Sequence, residues 1–278
     1  NHLDSADYWT VSDPYRLNVL VVLIIIFVGL IFVFGGIQGV RGLVSLLGSF
    51  VLIFYALIPS LYQGYSVLLV SIGVSSLIIV VGSYITHGFT RTTTSAVIGM
   101  IVTVLVTGVV AYYAVYSGKL SGYNQEESMH LSLNTRGGID MVGLLFGGII
   151  IGLLGVLYDI AIGQAVAVEE LFRVGSHLKR KEVYVRAIRI GREHIGALVN
   201  TLAIAYVGAS LPLFLLMQSS TAGTMFIINS EVIATEVIRI LVGSIGLILA
   251  VPVTTLIASY MLYGKISKES NSGHSHHH

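Results

Sequence analysis

The sequence contains no cysteine, which excludes disulfides, thiolate metal sites and cysteine nucleophiles together. Charge is also scarce: Asp, Glu, Lys and Arg make up 10% of the 278 residues, against roughly 25% in an ordinary soluble domain. The net charge is only +1, so no nucleic-acid partner is expected. No phosphate-binding glycine loop, HExxH or GxSxG is present, so neither a cofactor nor an enzyme is expected. An intramembrane hydrolase built on Asp159 would need a second carboxylate at a sensible depth, and none is placed there.

What the chain has instead is apolar length. The hydrophobic fraction is 55%, and several runs exceed the ~18 uncharged apolar residues that mark a membrane-spanning helix. The expected fold class is therefore all-α, a polytopic transmembrane helical bundle. Reading charges as boundaries gives seven spans: about Leu17 to Phe34, Ile37 to Ile58, Tyr65 to Ile85, Thr94 to Tyr116, Ile139 to Ile162, Ile195 to Met217 and Ile238 to Tyr263. Pro59 is expected to close the second, since proline removes a helical hydrogen bond. With the N-terminus outside, the cytoplasmic segments hold eleven of the Lys and Arg residues and the external segments four, Arg16, Lys119, Arg136 and Arg239. Lys and Arg are retained on the cytoplasmic side, so this asymmetry predicts N-terminus outside and C-terminus inside.

Two connections are long. The external one, about Ser117 to Gly138, is expected to hold a short surface helix around Glu126. The cytoplasmic one, about Gly163 to His194, is basic and helical in pattern. Glu182, Arg186, Arg189 and Glu193 fall on one stripe and are expected to pair at i, i+4. That face reads as solvated or headgroup-facing, or else as a dock for an anionic ligand or partner. The start at Asn1 fits a fragment or a processed form. Residues 1–16 are polar and read as the tail of an extracellular segment, and 264–278 form a His-rich tail that is either native or tag-derived.

Four stretches resemble the YibE/F-like multi-pass membrane proteins of bacteria: "THGFTRTTTSAVIG" (Thr86 to Gly99), "GIIIGLLGVLYDIAIGQAVAVEEL" (Gly148 to Leu171), "IGREHIGALVNTLAIAYVGASLPLFLL" (Ile190 to Leu216) and "VGSIGLILAVPVTTLIA" (Val242 to Ala258). The resemblance implies a helical membrane domain that follows an extracellular portion in longer members. It implies no established biochemical activity. The chain matches the family pattern at Asp159 and Glu170. It departs at Gly163 and Val166, where the pattern has small hydroxyl residues, and at Glu169, where it has an aromatic. Lys179 replaces the Ser or Thr that would make a capping box with Glu182.

Three polar features carry the functional expectation. Asp159 lies twenty residues beyond Ile139, ~30 Å at helical rise, which puts it near the inner boundary of the hydrocarbon. It is either an interfacial carboxylate reaching water or an ion- or solute-binding group facing a hydrated cavity. If the helix continues, Asp159, Gly163, Val166 and Glu170 share one face, and Gly163 leaves room for a ligand or helix to approach. His194 and Asn200 open the sixth span. Asn200 reads as an interhelical hydrogen-bonding amide or a helper at the site, and His194 as a boundary residue or a proton relay. Pro212 and Pro252 are expected helix breaks that free carbonyls. Gly143, Gly147, Gly148, Gly152 and Gly155 form a small-residue packing surface, within the chain or toward a second copy or paralogous membrane partner. The expectation is a transporter or permease for a small solute or ion, with Asp159, Glu170, Asn200 and His194 at a cytoplasm-facing site. The alternative is a scaffold that docks a partner through its basic connection.

Overall fold

The computed structural model describes residues 15–124, 126–175, 178–219 and 223–263, and every regular element among them is helical. The polar start through residue 14 and the His-rich tail from residue 264 lie outside the described residues. Chain order gives α1 (Leu17–Leu52), a π-helical turn (Ile53–Leu57), α2 (Ile58–Tyr62), α3 (Val67–His87), α4 (Arg91–Ser117) and α5 (Glu126–Asn134). There follow α6 (Met141–Val174), α7 (Arg180–Ala209), α8 (Leu211–Gln218), α9 (Thr224–Ile228) and α10 (Glu231–Leu262). Five helical stretches are long and apolar enough to cross a membrane, and the bent pair α7–α8 makes a sixth if it counts as one.

The first two expected spans lie in one continuous stretch, Leu17–Tyr62, broken at Gly36. Gly36 has φ 52° and ψ −146°, a conformation glycine adopts without steric penalty. The bend is sharp. A Cβ on Gly39 would stand 2.9 Å from the Ile31 carbonyl oxygen, whereas eight residues of straight helix are ~12 Å apart along the axis. The chain therefore turns sharply at Gly36, which divides the stretch into two arms. Pro59 does not end the second arm: the π turn at Ile53–Leu57 precedes it, and helix resumes to Tyr62. A π turn is a standard way to accommodate an irregularity in the i→i−4 ladder without leaving the helix.

The cytoplasmic connection is shorter than expected. α6 runs unbroken to Val174 and α7 starts at Arg180, so most of that basic segment belongs to the two long helices. The pairs Glu182–Arg186 and Arg189–Glu193 are not formed among the described residues. Glu182 Oε2 instead accepts from the Lys179 N–H at 2.8 Å, the glutamate half of a capping box. A lysine ammonium cannot accept, so the other half is missing. Arg180 lies over the rings of Tyr260 and Tyr263, 4.1 and 4.8 Å from their centroids, tying the start of α7 to the end of α10. The surface helix expected near Glu126 is α5.

The core is a body of α4, α6, α7 and α10, with α10 packed on the other three and α3 alongside. Close approach is set by glycines. A Cβ on Gly99 would meet Thr254 of α10, with backbone Cα at 3.0 Å, and one on Gly246 would meet Leu153 and Thr107 at 2.9 Å. Of the small-residue surface on α6, Gly143 faces Val67 and Gly147 faces Ser71 of α3, while Gly152 faces Tyr206 of α7. Gly148 and Gly155 face open space. Packing within the chain thus accounts for three of the five glycines. α1 sits at the edge, touching α3, and its own residues are nowhere fully buried.

These contacts predict different outcomes for enlarging different glycines. Gly99→Leu and Gly246→Leu should lower the thermal unfolding midpoint of the detergent-solubilised protein, by an overpacking penalty of ~1–3 kcal/mol or more. Gly155→Ala should leave it unchanged or raise it, because alanine is favoured over glycine in a helix by ~1 kcal/mol.

Candidate functional site

α6 carries the site because two of its faces are occupied and one is not. Its contacts Gly143–Val67 and Gly147–Ser71 fix a parallel register with α3. Carried along both helices, that register sets Asp159 level with Ser83, about one turn (~6 Å) before α3 ends at His87. Tyr158 locks it: its hydroxyl donates to the carbonyls of Ile78 and Ile79 at 2.6 and 3.0 Å. A side chain on Gly82 would collide with that hydroxyl, 2.5 Å from its Cβ.

Beside this contact, α1, α3 and α6 enclose a half-open slot of about 790 Å³. Its α6 wall runs from Ile151 to Gly163, ~18 Å of helix. The α1 wall runs antiparallel, so Gly42 and Ser45 face the Asp159 end while Phe50 and Ile53 face the other. Thr86 and His87 also line the slot. At the α1–α3 seam, Gln38 Nε2 donates to His87 Nδ1 at 3.4 Å. The slot is thus polar at one end and apolar along its length.

Asp159 also lines a second recess of about 150 Å³, between α6 and α7, with Gly163, Gln164, Ile190, His194 and Leu198. The structure therefore brings His194 and Asp159 to one cavity. The Nδ1 of His194 lies 3.1 Å from the Ile190 carbonyl. A carbonyl only accepts, so Nδ1 carries the proton and Nε2 is the basic nitrogen. The floor of the recess is Gln164, 4% exposed. Its Nε2 donates to the Ala187 carbonyl and to Thr255 Oγ1, both at 2.7 Å, joining α6, α7 and α10.

Asp159 itself has no hydrogen bond or ion pair among the described residues. Gly155 and Gly163 stand one turn to either side of it, and a Cβ on either would meet nothing within 4 Å. A carboxylate with no partner, flanked by open space, sits in the wall shared by two cavities.

Two expected members of the site lie elsewhere. Glu170 does share the Asp159 face of α6 but is exposed beyond the slot and paired with Arg173 at 2.8 Å. Its neighbour Glu169 accepts from Thr92 Oγ1 at 2.7 Å and pairs with Arg173 at 2.9 Å, so Glu169 ties α6 to the start of α4. Asn200 is exposed, on another side of α7, and lines neither cavity. The prolines do not open the site. α10 continues through Pro252, and Pro212 occupies the first turn of α8, after a 62° bend at Ser210. Proline is tolerated in a first turn because its missing N–H has no intrahelical partner there.

Sequence reasoning missed Tyr158, Gln164, His87 and the α1 serines. The spacing Gly155–Asp159–Gly163, a turn apart twice, was the signal available for the open stripe. It also missed the buried pair Glu236–Arg239, 3.2 Å apart on α10, because that helix starts at Glu231 rather than near Ile238. At the same end Glu231 Oε1 accepts from the Ser121 and Gly122 N–H groups at 2.7 and 3.0 Å. The loop before α5 is thereby pinned to the start of α10, at the end of the molecule opposite Asp159.

Residues 23–264 match the model of the YibE/F-like protein family. No curated protein and no solved structure matches the chain. The match covers almost every helix described above, including both walls of the slot. The chain belongs to the YibE/F-like family.

Proposed function

We propose that this protein is a transporter of a small solute or ion in a bacterial cytoplasmic membrane, that it is not an enzyme, and that Asp159 is the group its cargo and a coupling proton share. The observation that carries this reading is the position of Asp159, unpartnered in the wall between the α1–α3–α6 slot and the α6–α7 recess. An ionised Asp within a membrane helix costs ~2.5–3.5 kcal/mol on insertion scales, so bare carboxylates there are rare and mark ion and proton pathways. A proton or a cation at Asp159 removes that cost. Alternation between the two is the simplest coupling device. His194, in the same recess, is placed to pass the proton on. Gln164 holds α6, α7 and α10 in fixed relation while this happens.

The reading includes a topology. The bend at Gly36 makes two crossings of the first helical stretch, and α7–α8 makes one, for seven in all. The arginine-rich ends of α6 and α7, together with Arg91, then face the cytoplasm. Lys119 and Arg136 face outside. In this topology Asp159, which lines both the slot and the recess, lies toward the cytoplasmic ends of α3 and α6, and an inner-side vestibule is the proposed route.

A second reading has one observation in its favour. Arg189 and Arg192, neither paired among the described residues, line a recess of about 480 Å³ between α7 and α10, beside Pro252. A scaffold would hold an acidic partner there.

Because the chain has no cysteine, single-cysteine topology is unambiguous. Met129→Cys should react with an impermeant maleimide from outside, and Gln38→Cys and Lys181→Cys only from inside. Labelling of Gln38→Cys from outside contradicts the two-crossing reading of the first stretch. For activity, everted vesicles bearing a respiratory pH gradient are challenged with a panel of inorganic cations, amines and amino acids while acridine fluorescence is followed. Wild type should respond to at least one solute, and Asp159→Asn should slow that response by about tenfold or more. An unchanged response removes Asp159 from the mechanism. No response to any solute contradicts transport.

A further inference from the structure

The shape and charge of the slot narrow the cargo. The slot volume of about 790 Å³ falls in the ~300–1,000 Å³ range of sites for drug-sized molecules, far more than a bare inorganic ion requires. Its walls are Leu46, Phe50, Ile53, Ile78, Ile151 and Leu154 for most of their length. Such walls return nothing to a hydrated ion or a sugar, and they favour an apolar body by burial at ~25 cal/mol per Å². Its polar groups cluster at one end, with Asp159 as the only acid and His87 the only other ionisable group apart from the Tyr158 phenol. That phenol is committed to the carbonyls of Ile78 and Ile79.

The entrance matters as much as the interior. α1 is the peripheral element, touching α3 but not packed along α6. The slot therefore opens between α1 and α6, on the flank of the bundle rather than at its end. A molecule already dissolved in the lipid can enter sideways, with its head at the level of Asp159, about one turn from the end of α3. Gly155 and Gly163 leave the carboxylate uncovered from both sides along α6. Tyr158, next to Asp159, adds aromatic surface at the polar end, which attracts a desolvated cation, while Phe50 adds apolar surface toward the other end.

We infer that the slot binds an amphipathic monocation, an organic ammonium or phosphonium with an apolar body, whose charge pairs with Asp159 and whose body lies along α1 and α6. This rests on the transport reading for its consequence but not for the binding itself. One positive charge neutralises one carboxylate. A dication or an anion leaves a net charge in an apolar wall, where the loss of hydration disfavours it.

The test uses the purified full chain and two probes of one shape and opposite sign, tetraphenylphosphonium and tetraphenylborate, in equilibrium dialysis. The phosphonium should bind saturably to wild type, and the borate should not. Asp159→Asn, which keeps the size of the side chain, should weaken phosphonium binding by about tenfold or more, while Asp159→Glu retains it. Gly155→Leu, which meets open space in the fold, should weaken it by filling the slot, with the elution profile and thermal midpoint unchanged. The inference is overturned if wild type shows no saturable phosphonium binding. It is overturned equally if the borate binds as well as the phosphonium, or if Asp159→Asn binds like wild type. Reconstituted vesicles separate the two claims. Asp159-dependent phosphonium binding without flux upholds the site and contradicts transport. Asp159-dependent flux of another solute without phosphonium binding upholds transport and contradicts this cargo.

Discussion

The whole arrangement depends on how closely α10 approaches its neighbours. Gly99 against Thr254, Gly246 against Leu153 and Thr107, and Gly191 against Val251 bring four helices to distances that no larger residue permits. In a bilayer the apolar effect gives helices no preference for one another over lipid tails, so such contacts, with hydrogen bonds, hold the bundle. Because α4 and α7 are both committed to α10 in this way, α6 is covered by these three on one side. Its remaining face meets α3 at Gly143, Gly147 and Tyr158, and α1 packs on α3 rather than along α6. The slot is the space that this packing leaves.

The polar groups within the bundle make the vacancy beside Asp159 informative. Gln164 reaches a carbonyl on α7 and a hydroxyl on α10. Tyr158 reaches two carbonyls on α3. Glu169 and Glu170 share Arg173, Glu231 takes the N–H groups of the outer loop, and Glu236 has Arg239. Glu169, Glu170, Glu231 and Glu236 thus each have a donor or a cation. Asp159 has neither, and unlike Glu193 and Asp140, exposed carboxylates that also lack one, it lines both the slot and the recess, with open space at Gly155 and Gly163 on either side of it.

Much of this was legible in the sequence, and the failures have physical causes. Hydropathy and charge located the apolar helices, and the motif at Asp159 located the wall of the slot. The chain breaks were misjudged where backbone geometry, not composition, decides. Gly36 looks like any other glycine of an apolar run, yet it carries the reversal, and Pro252 looks like a break but sits in an intact helix. Reading charge as a boundary ends α6 too early and begins α7 too late. Amphipathic helices continue past the membrane edge when their inner turns still have a face to bury, as Val168, Phe172 and Val183 do. The same rule hid Glu236 and Arg239. Glu170 is grouped with Asp159 by a shared helix face, which the structure keeps, but it lies beyond the slot and Arg173 claims it. Asn200 is grouped by depth, and depth does not give azimuth: the rotation of α7 takes it away.

The central claim is that Asp159 is an unpaired carboxylate reachable from the lipid. Dicyclohexylcarbodiimide partitions into membranes and reacts with carboxyl groups in apolar surroundings, so its sites of attack, mapped by mass spectrometry on native membranes, test this directly. The account predicts that Asp159 is modified first, well before Glu169 and Glu170, which hold Arg173, and before Glu236, which is buried against Arg239. Modification of Glu236 with Asp159 untouched would contradict it.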